Sequence, residues 1–165
     1  MKALLTTLLM LNLLPNMKEF KENFKVRKTF QKTIYLLQEL GIKFGYHFSW
    51  YLNGPYSSSL ADDGYEMVGL RISEKSIGKF KSKTIDIPNE NNINILFNNI
   101  DLKSNETSDY LELLASIHFL LTHAYPKIRN ENEAKQKLKQ YKPDKFSDKE
   151  IENAVNNLRA AGLIQ

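Results

Sequence analysis

The chain has only three histidines, and two of them, His118 and His123, fall five residues apart in an apolar run that reads as a helix. At 3.6 residues per turn that spacing separates them by about 140° around the axis, whereas a zinc-binding pair at spacing four shares a face. No carboxylate stands near either in sequence, so both read as packing or boundary residues, and no metal site is expected. His47 likewise has no acidic neighbour. Glu19-Phe20-Lys21 and Glu133-Ala134-Lys135 match the E-x-K of metal-dependent nucleases. That chemistry needs both side chains on one side, which spacing two provides on a strand and not on a helix, and both stretches read as helical. The adjacent Asp62 and Asp63 diverge by about 100° on a helix and suit its positive N-terminal end better than a shared metal. There is no glycine-rich phosphate loop, G-x-S-x-G elbow or H-E-x-x-H. There is also no cysteine to act as nucleophile or thiolate ligand. These residues point to a protein that is not an enzyme and has no cofactor and no small-molecule substrate. The lack of cysteine fits the cytoplasm.

The elements that would position any binding residue centre on Phe30 to Met67. Phe30, Ile34 and Leu37 recur at helical spacing and Gly41 supplies a C-terminal stop. Phe44, Tyr46, Phe48, Trp50 and Leu52 then fall at every second position, which predicts a strand with one buried aromatic face. Asn53-Gly54-Pro55-Tyr56 reads as the turn, and Ser57, Ser58 or Ser59 can cap the next helix. The apolar run from Ala3 to Leu14 is shorter than the roughly 18 residues a membrane span needs, which predicts a buried first helix rather than a membrane segment. Met67–Ile72 and Lys79–Ile85 read as a hairpin. Residues 88–107 are rich in asparagine and read as a linker with an apolar anchor at Ile93–Phe97. Three capped helices follow, with Asn130/Glu133 and Ser147/Glu150 as capping pairs. The fold class expected is therefore α+β, mostly α, in three parts: residues 1–87, a linker over 88–107, and a three-helix C-terminal bundle over 108–165.

The run Phe30-Gln31-Lys32 with Tyr35-Leu36-Leu37-Gln38, followed by Tyr51-Leu52-Asn53-Gly54-Pro55-Tyr56-Ser57-Ser58 and Leu60-Ala61-Asp62-Asp63, resembles the YwgA-like family of small prokaryotic proteins. More distantly it is similar to the Panacea antitoxin domain. The resemblance covers roughly residues 4 to 70. It implies a winged-helix-like N-terminal domain with a β-hairpin wing, no enzymatic activity, and for some members a role in toxin neutralisation or phage defence.

Charge adds a possible polyanion surface. The net charge of +4 originates in the first 45 residues, which hold 8 basic against 3 acidic side chains. Lys25, Arg27, Lys28 and Lys32 are the densest group, and Lys25, Lys28 and Lys32 would share one side of a helix reaching back to Lys25. Lys79, Lys81 and Lys83 alternate along the expected wing, where they fit either a phosphate-binding face or an edge strand guarded against aggregation. The helix opened by the serines carries Asp62, Asp63 and Glu66, which disfavours its insertion in a DNA major groove. Tyr51, Asn53 and Tyr56 are the expected partner contacts, tyrosine being enriched at interfaces. The function expected is an interaction or adaptor subunit of a defence or toxin-neutralising complex, bound to another protein subunit and able to help hold DNA or RNA through its basic patch. The alternative is a homodimeric DNA-binding transcriptional regulator.

Overall fold

The computed structural model describes residues 2–69 and 87–165. The body of the expected wing, with Lys79, Lys81 and Lys83, lies outside these residues. Met67 to Gly69, expected to open the wing, instead complete a helix. The described residues form seven helices and one two-stranded hairpin, an α+β arrangement that is mostly helical. In chain order these are α1 (Lys2–Met10), α2 (Phe24–Glu39), β1 (Ser49–Tyr51), β2 (Gly54–Tyr56), α3 (Ser58–Gly69), α4 (Glu90–Phe97), α5 (Thr107–Thr122), α6 (Glu131–Tyr141) and α7 (Asp148–Ala160).

The two 16-residue helices, α2 and α5, pack on each other at the centre. Asn23 starts α2 by accepting the Lys25 N–H at 3.0 Å. Its end is a Schellman motif, in which Gly41 N–H bonds the Gln38 carbonyl and Ile42 N–H the Leu37 carbonyl. Between these ends every residue from Lys28 to Leu37 is buried. A helix covered all round must lie inside the fold, so its polar side chains need partners there. α5 has the same character, with Ser108, Glu112, Ser116 and His118 buried among leucines. The apolar N-terminal run folds inward as expected, with Leu4, Leu5 and Leu8 in the core. No described helix is long and apolar enough to cross a membrane.

Two expectations are corrected. The long aromatic strand is only the three residues of β1, paired antiparallel with β2 in the register Ser49↔Tyr56, Trp50↔Pro55 and Tyr51↔Gly54. Gly45 takes a positive φ of 84°, which interrupts an extended run, and Pro55 offers no N–H to lengthen the ladder. The alternation survives as half-burial of Phe44, Tyr46, Phe48 and Trp50. Trp50 lies against Phe119 and Tyr141, at centroid distances of 5.9 and 5.1 Å. Leu52 departs from the pattern and is 78% exposed, because Leu52 and Asn53 form the turn, one residue earlier than the sequence suggested. The second correction concerns residues 88–107. Glu90–Phe97 is a helix that buries Ile93, Leu96 and Phe97 and packs on α7. One hydrophobic cluster runs from Leu4 to Ala161 across this stretch.

Candidate functional site

The interior holds a cluster of charges built from three helical neighbourhoods. Glu112 of α5 is fully buried and accepts from Lys28 of α2 at 2.6 Å, from Lys142 at 2.6 Å and from Lys145 at 2.7 Å. Asp109, one turn earlier and half-exposed, accepts from Lys28 at 2.6 Å and from Lys145 at 3.3 Å. Burial by itself would push the Glu112 carboxyl up. The bonds from Lys142, Lys145 and Lys28 outweigh it and hold the group below its ordinary value. Three ammonium groups face two carboxylates, which leaves one cation in excess.

Lys142 of this cluster and a further buried amine, Lys32, hold the hairpin from beneath. Lys142 Nζ donates to the Leu52 carbonyl at 2.9 Å and Lys32 Nζ to the Pro55 carbonyl at 2.6 Å. Gln31 grips Ser57, just past the hairpin, with both ends of its amide, donating to its O at 2.8 Å and accepting from its N at 3.0 Å. Gln38, two turns along α2, makes an identical pair of bonds with Tyr46, both 2.9 Å. Two glutamines seven apart thus fasten both ends of the segment that carries the hairpin. Gly54, at φ 82°, lets the backbone lie directly on Ser116 of α5.

On the outside, this fixed hairpin forms one wall of a cleft of about 430 Å³. Phe24, Tyr51, Tyr56 and Tyr65 line it above Lys28, Gln31 and Lys32. The rim is unusually apolar for a surface: Phe24 is 52% exposed, Tyr51 59% and Tyr65 45%, with Leu52 projecting beside them. Tyr51 and Tyr56 pack on each other with centroids 5.6 Å apart. The expected partner contacts Tyr51, Asn53 and Tyr56 all line the cleft.

The basic residues distribute differently from the expected phosphate-binding face. Lys25 is exposed. Arg27 turns back to donate to the carbonyls of Phe20, at 3.0 Å, and Lys21, at 2.7 Å. Lys28 and Lys32 are buried, because α2 is covered on that side by α5 and the hairpin, and both are engaged by protein acceptors. Only Lys25 of the four is left as a freely solvated cation.

Burial drives the Lys32 amine down to about 7, with Glu112 pulling it up and Lys142, Lys28 and Lys145 pushing it further down. A lysine whose folded value lies below its unfolded one binds fewer protons when folded, so its contribution to stability rises with pH between about 7 and the ordinary lysine value. The urea midpoint of the wild-type chain is accordingly expected to climb between pH 7 and pH 9, and Lys32→Met to flatten that climb. Parallel profiles for the two proteins would contradict this.

A second polar group lies at the far ends of α2 and α5. His123 Nε2 stands 3.1 Å from Glu39 Oε2. His118 is buried, and its Nδ1 is 2.7 Å from the Tyr35 hydroxyl. The two imidazole centroids are 6.1 Å apart. His123 is the residue that ends α5, with φ at −119°, so regular helical spacing does not set the direction of its ring. The carboxylate missing from the neighbouring sequence comes from α2.

Fold and site together define a mostly helical α+β protein that presents a rigid, aromatic-rimmed cleft over a buried charge cluster. No family model, curated protein or solved structure matches the chain.

Proposed function

We propose that the chain is a non-catalytic interaction subunit, and that a partner protein docks on the cleft beside Tyr51, Leu52 and Tyr56. The observation that carries this reading is the support beneath an apolar surface. Lys32, Lys142 and Gln31 all bond the backbone of residues 52–57, so the hairpin is fixed before anything binds. Preorganisation of this kind lowers the entropic cost of association, and exposed tyrosines at the rim of a pocket are typical of energetic anchors. The surplus cation under the cleft and the half-buried Arg27 favour a partner segment that combines an apolar side chain with acidic residues. A defence or toxin-neutralising complex is the setting that the resemblance to YwgA-like and Panacea proteins suggests. The alternative of a homodimeric DNA-binding regulator is less favoured, because Lys28 is paired with carboxylates and Lys32 is bonded to the Pro55 carbonyl, both inside the fold, while Asp62 and Glu66 remain exposed on α3.

Co-expression with the products of neighbouring genes, followed by size-exclusion chromatography, tests the reading. A stable heteromer is expected. The triple variant Tyr51→Ala, Leu52→Ala, Tyr56→Ala is expected to melt close to the wild type, since all three side chains are exposed, and to bind the partner at least about 100-fold more weakly. A heteromer unaffected by the triple substitution would remove the cleft from consideration. A homodimer that retards duplex DNA would favour the regulator instead.

A further inference from the structure

Glu39, His118 and His123, none of which lines the cleft, are placed as a ligand set for a metal ion. One donor atom from each lies within 4.8 Å of the other two. Donors bound tetrahedrally at roughly 2.0–2.2 Å from one zinc ion are about 3.3 Å apart. The 3.1 Å between His123 Nε2 and Glu39 Oε2 is already close to that spacing, and closing the remaining gaps takes a shift of at most about 1.5 Å.

His118 is oriented for such a role. Its ring lies beside the Leu163 backbone, whose N–H is already given to the Leu158 carbonyl, so only the Leu163 carbonyl is left there, to accept an imidazole N–H. The other nitrogen, Nδ1, therefore points an unprotonated lone pair toward the group, where the Tyr35 hydroxyl now donates to it. A ring held by a backbone carbonyl on one nitrogen, with the second free to ligate, is the usual support of a metal-binding histidine. Metal binding exchanges the Tyr35 bond on Nδ1 for a coordinate bond, and Thr122 is at hand as an alternative partner for the released hydroxyl.

We propose that Glu39, His118 and His123 bind one divalent zinc ion, with water in the fourth position. Two imidazoles and a carboxylate form a donor set of the kind zinc accepts with one position left open. The His123 side chain is 44% exposed, which gives the ion and its water a route from solvent.

The test uses the untagged chain, titrated with zinc chloride by calorimetry and followed by thermal melting, with cobalt(II) substitution as a spectroscopic check. One zinc per chain is expected, with a melting temperature that rises with zinc concentration and a visible d–d absorption for the cobalt form. Glu39→Gln and His123→Ala alter partly exposed side chains, so both variants fold, and each is expected to weaken binding by at least about tenfold. Tyr35→Phe removes the competing hydroxyl and is expected to bind zinc at least as tightly as the wild type. The absence of saturable one-to-one binding, or binding by Glu39→Gln and His123→Ala as tight as that of the wild type, overturns the proposal. In either case the group is an ordinary His–Glu contact beside a satisfied Tyr–His hydrogen bond.

Discussion

Replacing Glu112 by alanine is expected to destabilise the protein by about 3 to 5 kcal/mol, the range for removing one partner from a buried ionic group. The reason is what remains: the Lys28 and Lys142 amines, both almost fully buried, lose their central acceptor while the Lys145 amine loses its shorter bond. For a domain with a total stability of roughly 5 to 15 kcal/mol, that is a large fraction, and the melting temperature should fall by about 10 °C or more. Asp109→Ala is the matched control. Its carboxylate is 47% exposed, water can replace it, and a loss of no more than about 1 kcal/mol is expected. The Glu112 carboxyl is held below its ordinary value when folded, so its contribution is complete above the unfolded value and fades as the pH falls through the folded one. Glu112→Gln should therefore be less sensitive to acid than the wild type. Melting of Glu112→Ala indistinguishable from Asp109→Ala would show that the cluster does not bind the helices together.

The elements were legible in the sequence wherever the determinant was local. Gly41, Ser147 with Glu150, and the apolar run of α1 each act within a few residues, and each appears where the sequence placed it. The reading lost accuracy where long-range packing decides. Lys28 and Lys32 look like a solvated basic face because a lysine in sequence carries no sign of the acceptor that will meet it. Glu112, on a different helix 84 residues from Lys28, turns that face inward. Gln31 and Gln38 gave a faint signal, a seven-residue repeat on one side of α2, but their partners are backbone groups that no side-chain pattern encodes. The placement of Tyr51, Asn53 and Tyr56 around a chain reversal was legible for a simpler reason. An Asn-Gly-Pro run signals a chain reversal from its own residues, although the turn itself falls on Leu52 and Asn53 and Gly54-Pro55 belongs to β2. The carboxylate beside His123 was not legible, since Glu39 is brought there by the pairing of α2 with α5.

Gly54→Val should be nearly as damaging as the loss of Glu112, through two separable effects. The residue holds φ at 82°, a region that costs an ordinary side chain about 1 to 2 kcal/mol and a β-branched one more. A Cβ there would also overlap the Ser116 hydroxyl, with the Ser116 Cβ only 3.5 Å away on the rigid α5. Overpacking of this kind adds about 1 to 3 kcal/mol. A total of roughly 2 to 5 kcal/mol is therefore expected. Gly54→Ala combined with Ser116→Ala separates the parts. The Ser116 hydroxyl has no hydrogen-bond partner within the described residues, so removing it gives back space without breaking a bond. The double variant should recover the overlap and retain the backbone strain, melting between Gly54→Ala and the wild type. The consequence for binding follows from the same geometry. Pushing residue 54 off α5 displaces the carbonyls of Leu52 and Pro55 from Lys142 and Lys32, so affinity for the proposed partner should fall even at temperatures where the variant stays folded. A Gly54→Val protein that melts within a degree of the wild type and still binds its partner would mean that the hairpin does not depend on its seat against α5.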